Sequence, residues 1–225
     1  MRTRPWALTA AGLGTGFAAM RAARRRAARW GTTTDEVHLL LPGDELITAP
    51  SSSTTRAVTI AAPAAEVWAW LVQIGQDRGG MYSYDALENL IGLHIHSADH
   101  IDERWQHLAV GDHVRLIPPG WLGIGPYELP VVRLDPGASI VLDLGPPWHG
   151  VWSFHVRSID ERHTRLVARS RTPTPAHRLA RIAVAMTSFM DLVTFVMERR
   201  MLLGIKQRAE RSPATAHRTG EESAA

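Results

Sequence analysis

The chain of 225 residues has no cysteine. That excludes disulfides, thiolate zinc sites, iron–sulfur clusters and a cysteine nucleophile, and it leaves cysteine usage silent about the redox compartment. Lys206 is its only lysine, so the formal net charge of +3 is carried by arginine. No internal repeat is present. No G-x-S-x-G elbow presents a serine, so a hydrolase of that design is excluded. The glycine-rich stretches at 75–80 and 120–125 do not open helices, so neither is a dinucleotide or phosphate loop. The uncharged run from Pro5 to Met20 is shorter than the ~20 residues a helix needs to cross a bilayer.

What is present is a 45% hydrophobic fraction, enough for a real core. The basic charge clusters early: "RAARRRAAR" (21–29) follows the uncharged run. A denser arginine cluster after an apolar stretch is the reverse of a secretory signal. Residues 5–29 therefore read as a tail or a membrane-associating segment, and a basic flank of this kind stays on the cytoplasmic side. The expected location is cytoplasmic, either free or at the inner face of the membrane. The cluster lacks interleaved aromatics, which argues against nucleic acid.

Residues 31–53 read as a short helix, begun at Thr34 and stopped by Pro42-Gly43, and a linker, "APSSSTT" at 49–55. A compact domain is expected over 54–211, with 1–30 outside it and 212–225 a disordered tail. It opens with an alternating strand, "TRAVTIA" (55–61). Pro63 then begins a helix whose Val67, Trp70, Leu71 and Ile74 form an apolar stripe that Gly75 ends. Ser83 is placed to cap a second short helix, with Leu87, Leu90 and Ile91 on one face. From about 110 to 172, five runs of period-two alternation separated by "PPG", "DPG", "GPPWHG" and "DERH" predict successive antiparallel strands. A long helix is predicted from Pro175 to Arg211, its apolar stripe being Leu179, Ile182, Met186, Phe189, Val193, Val196 and Met197. "MERR" (197–200) reads as an intrahelical and helix-to-sheet ion-pair patch. A curved sheet must cover its inner face, so this α+β order predicts a helix laid across the concavity of about six to seven strands, with a cavity between them.

The stretches "GGMYSYDALENLIGLHIHSADHI" (79–101), "WSF" (152–154), "TRLVARSR" (164–171) and "FVMERRMLLGIK" (195–206) resemble the START-like, or SRPBCC, helix-grip superfamily. The likeness is to a bacterial branch labelled polyketide cyclase/dehydrase and spans roughly residues 30–211. It implies the helix-grip fold and a hydrophobic cavity. It fixes no reaction, because that superfamily holds carriers, receptors and enzymes alike.

Binding of a hydrophobic small molecule or lipid is the expected function. The alternative is a cyclase or dehydratase working with acid/base residues in the same cavity. Tyr82, Tyr84, Trp152, Phe154, Phe189 and Asp191 are the ligand-binding candidates, and Tyr84, Asp85 and Asp191 the catalytic ones. Tyr82, Tyr84 and Asp85 either meet a ligand or pack with hydroxyls outward while Asp85 steadies a helix start. Asp191 is the lone charge within Ile182–Met197, and faces either a cavity or solvent. "LHIHSADH" (93–100) offers three histidines, a serine and an aspartate. His94 and His96 share a side of an extended segment and His100 or Asp99 could add a third ligand, yet the segment follows a helix stop and the chain's other histidines are scattered without ligand spacing. No metal or other cofactor is expected. The segment reads instead as a structural clasp: Ser97 and Asp99 bond to nearby backbone N–H groups, and His96 ties the loop to the sheet. The resemblance also places His96 and Asp99 in the family pattern.

Overall fold

A computed structural model describes residues 19–146, 149–174 and 188–211, with the side chains of the last helix described from residue 191. Helix α1 covers 19–28, α2 is Thr34–His38, β1 is Pro50–Ile60, α3 is Ala64–Val72 and α4 is Asp85–Leu90. Strands β2 (His113–Ile117), β3 (Tyr127–Asp135), β4 (Ser139–Asp143), β5 (Val151–Ser158) and β6 (Thr164–Pro173) follow, then α5, Ser188–Ala209. The six strands form one antiparallel sheet in the order β1-β6-β5-β4-β3-β2. A meander of five neighbours is thus closed by the first strand pairing with the last, and α5 grips the inner face. This is the helix-grip architecture.

Alternation decides the faces. Arg56, Val58 and Ile60 of β1 point inward with Phe154 and Val156 of β5 and Leu166 and Ala168 of β6, all buried. Val67, Trp70, Leu71 and Ile74 of the α3 segment are buried in the same core. Met201, Leu202, Ile205 and Ala209 of α5 complete it. Gly204 sits among them because a Cβ there would lie 2.2 Å from the Tyr82 carbonyl oxygen. A helix-interior glycine costs about 1 kcal/mol against alanine, and here it lets the helix reach the backbone below it.

The outer face is covered by the chain before β1. Leu41 packs on Ala57 and Val167. Buried Arg169 donates to Asp44 at 2.5 Å and to the carbonyls of Leu39 and Glu36, each at 2.7 Å. Arg165 pairs with Glu36 at 2.7 Å. Each guanidinium has matched acceptors, so these charges are tolerated under cover.

Several boundaries differ from the sequence reading. Ser51–Thr54, taken as linker, open β1: serine and threonine suit an edge strand, and Thr54 and Thr55 pair with Ser170 and Arg169 of β6. Trp30, at the end of the expected tail (1–30), packs against the core. Its carbonyl accepts from Ala57 N–H at 3.0 Å, occupying the free edge of β1. Thr33, not Thr34, caps α2, in a reciprocal capping box with Glu36. Ser83 does not cap α4; its hydroxyl donates to the Met197 carbonyl at 3.3 Å. Leu87, Leu90 and Ile91 are exposed rather than packed. The α5 stripe is also out of phase: Val193 and Val196 are exposed. Leu179, Ile182, Met186, the Phe189 side chain and the expected tail at 212–225 lie outside the described residues.

Candidate functional site

Register divides the concavity into two ends. At one, Ile60 pairs with Thr164 beside the β5–β6 turn, and the buried half of α5 fills the space. At the other, β1 begins at Pro50, β6 ends at Pro173, and the β2–β3 loop (118–126) turns. Here α5 leaves the sheet: Leu192, Val193 and Val196 are exposed.

The boundary between the two ends is polar. Arg56 reaches in from β1 and makes a buried ion pair with Glu198 of α5. Trp152 Nε1 donates to the other carboxylate oxygen at 3.0 Å. Arg56 also donates to the Ala27 carbonyl at 3.0 Å, and its guanidinium lies 5.3 Å from the centroid of the Phe195 ring. Burial lowers the Arg56 pKa to about 10, with Asp191 opposing the fall; the side chain stays charged at neutral pH. Trp152 and Phe154 share a face with ring centroids 4.7 Å apart. Phe154 is fully buried, whereas Trp152 is half-buried on the open side.

Two clefts flank the emerging helix. One, of about 190 Å³, lies among Arg24, Arg25, Ala27, Ser52, Thr54, Arg56 and Asp191. The second is a shallower surface among Ser83, Tyr84, Asp85, Leu87, Arg199 and Arg200.

The structure does not bring the proposed catalytic trio together. Asp191 is exposed and ion-paired with Arg24 in the first cleft. Tyr84 and Asp85 line the second, and Arg200 lies 5.8 Å from the Tyr84 ring centroid. Tyr82 is at neither mouth: it is buried against Trp70, accepts from Gln73 Nε2 at 2.9 Å, and has Arg208 4.6 Å from its ring centroid. Burial raises its pKa well above the usual phenol range, so the hydroxyl stays protonated near neutrality.

The segment "LHIHSADH" is held by other residues than expected. Ser97 is its centre: its hydroxyl donates to Asp85 Oδ1 at 2.6 Å and accepts from Tyr82 N–H at 2.9 Å, while its own N–H donates to Asp85 Oδ2 at 2.7 Å. Asn89 bonds both ways with the backbone of Ile95, at 2.7 and 2.8 Å, and Arg208 donates to the Ala98 carbonyl at 2.7 Å. Gly80 (φ +78) permits the approach, since a Cβ there would meet the Ser97 Cα at 2.6 Å. His96 is exposed and does not tie the loop to the sheet. Asp99 pairs with its exposed neighbour His100 at 2.8 Å, and a backbone hydrogen bond also helps hold its carboxyl below the usual range. Among the described residues no group of three or more histidine and carboxylate side chains is placed to hold a metal.

Sequence reasoning missed Arg56 and Glu88. An arginine at the inward parity of an apolar strand was the available signal for Arg56, and "MERR" held its partner. Glu88 is buried on α4, and its Oε2 has no hydrogen-bond partner. Burial, then the charge of Asp85, raises its pKa to about 7. Nothing in "DALENL" distinguishes it from a solvated helix glutamate.

No protein-family model and no curated protein matches the chain. Solved structures with a similar fold include a protein from Thermobifida fusca at 18% identity, covering 71% of this chain and 93% of that one, with a TM-score of 0.45. A polyketide-cyclase-like protein of Corynebacterium glutamicum matches at 16% identity over 68% and 88%, TM-score 0.41. The Zhui aromatase/cyclase of Streptomyces sp. R1128 matches at 18% over 72% and 97%, TM-score 0.40. The fold assignment itself rests on the strand order and the gripping helix described above.

Proposed function

We propose that this protein binds a small, predominantly apolar molecule at the open end of the sheet, between β5, β6 and the emerging half of α5. The observation that carries this reading is the half-buried Trp152. It extends the apolar wall of Phe154 outward and places a polar node, Glu198 with Arg56, at the wall's inner limit. Such a surface suits a ligand with an apolar body and one polar group. The dispersion of Tyr84, Asp85 and Asp191 over two clefts favours binding over cyclase-type catalysis. The apolar run and the arginines of residues 5–29 add contact with an anionic membrane surface, from which an apolar ligand would be drawn. No helix among the described residues is long and apolar enough to cross a bilayer.

A fluorescent fatty acid tests the binding site. Ser170 faces Trp152 across the β5–β6 pair. Ser170→Trp should abolish saturable probe binding while leaving the thermal transition in place. Probe binding that persists unchanged in that variant sinks the site assignment.

A further inference from the structure

The loop between β2 and β3 reads "PPGWLGIGP" (118–126) and carries no charge. Leu122 is 78% exposed and Ile124 48%. Leu122 also has φ +49, a left-handed conformation costly for a branched apolar side chain. A strained leucine held in water at a loop tip contributes nothing to the core. Trp121 Nε1 donates to the Ile91 carbonyl at 2.6 Å, which fixes the loop beside α4. There Leu87 (55%), Leu90 (80%) and Ile91 (54%) extend the same exposed surface. Of the polar residues of α4, Asn89 is bound to Ile95 and Glu88 is buried, while Asp85 is bound to Ser97 at the edge of the second cleft. Cations lie alongside, Arg199 and Arg200 of α5 lining the cleft next to Leu87.

We propose that this loop and the outer face of α4 form a membrane-insertion surface, which enters the interfacial layer of an anionic bilayer and sets the open end of the sheet against it. An uncharged, protruding apolar tip with a tryptophan at its base and arginines at its side matches the layering of that interface: acyl chains, then carbonyl level, then anionic headgroups. The charge pattern selects a lipid surface over an acidic protein partner, because the arginines lie beside the apolar tip and not within it. The proposal deepens the membrane-contact part of the reading above and rests on it. It adds a second anchor, on the folded domain, at the end where the ligand is drawn in.

The absence of cysteine makes the test direct. In the full chain, Leu122→Cys is labelled with an environment-sensitive fluorophore and mixed with phosphatidylcholine vesicles containing phosphatidylserine. Ile159→Cys, exposed on the β5–β6 turn at the other end of the sheet, is labelled as the control. The Leu122 label should shift to the blue and become accessible to a quencher in the acyl region, while the Ile159 label stays in water. Leu122→Glu/Ile124→Glu should weaken vesicle partitioning at least about tenfold, the loss expected for one apolar side chain withheld from the bilayer, with an unchanged thermal transition. Vesicle binding with the Leu122 label still in water overturns the insertion surface and leaves contact to residues 5–29. That contact is read separately in Arg24→Glu/Arg25→Glu/Arg26→Glu. A chain that ignores vesicles overturns both. A Leu122 shift that follows protein concentration without lipid, with a doubling of mass, assigns the surface to a second copy and also overturns the proposal.

Discussion

The two halves of α5 share one helix and behave as different materials. From Glu198 to Ala209 the sequence is dense in charge, yet it supplies the buried face: Met201, Leu202, Ile205 and Ala209 meet the core. Before Glu198 it is nearly uncharged, yet Leu192, Val193 and Val196 are exposed. The difference lies in what each half meets. The charged half packs beside β1 and α3 in one cluster with Val58, Val156 and Leu166, its Glu198 paired with Arg56 and its Arg208 lying over the Tyr82 ring. The apolar half lies past the sheet's inner wall. Burial here follows position over the sheet, and hydropathy alone inverts the order.

The sharpest way to break this arrangement is at the boundary. Glu198→Ala leaves Arg56 buried without its partner and should cost about 3–5 kcal/mol in denaturant unfolding. The double change Arg56→Met/Glu198→Leu should recover most of that, since an apolar pair of similar volume replaces both charges. A double variant as unstable as the single would mean that the pair holds the helix by more than mutual compensation.

Next in size is the contrast between the halves. Leu202→Ala, at a fully buried site, should cost about 3 kcal/mol, whereas Val196→Ala should stay within about 0.5 kcal/mol. Equal costs would erase the distinction between a gripping and a free half.

Glu88 gives a pH-dependent effect at the open end. Its pKa is raised from 4.5 to about 7, so the folded state keeps a proton that the unfolded chain has released across that window. Stability should therefore fall as pH rises from about 4.5 to about 7. Glu88→Gln should remove the fall and stabilise the protein at pH 8 by on the order of 2 kcal/mol. His155 works oppositely. Burial, with Arg169 beside it, depresses its pKa from 6.5 to about 4, so stability is lost as pH falls through that range. The wild-type profile should be flat where the two overlap, and Glu88→Gln should uncover the histidine slope.

Smallest is the clasp. Ser97→Ala should cost about 1–2 kcal/mol through its lost bonds to Asp85 and Tyr82 N–H, while His96→Ala should be silent in the same thermal scan.

The strands were legible because their alternation is local and each turn carries its own signal. The grip was legible because a sheet with one apolar face needs a cover. What failed to show depends on contacts distant in sequence. The Ser51–Thr54 stretch looks like linker until β6 pairs with it. Trp30 looks like tail until it takes the edge of β1. Leu87, Leu90 and Ile91 have the spacing of a buried stripe, and periodicity cannot say whether anything lies opposite. At the candidate site, the pairing of Trp152 with Phe154 followed from strand parity, whereas the burial of Tyr82 and of Glu88 depended on how α5 and the 93–100 segment close over them.

The pairing of β1 with β6 also sets an order of events. Strands β2 to β6 are joined by short connections, so their hairpins can zip in sequence as the chain emerges. β1 must wait: Ile60 meets Thr164 and Thr54 meets Ser170 only after the whole meander exists. Closing so long a loop is entropically slow, and high contact order slows folding. Until it happens, the inward side chains of β6 have no neighbour on that flank and α5 has no second wall to lie against. Arrival of the first strand is then the commitment step of folding. The segment carrying Trp30 follows it in and covers the outer edge of β1.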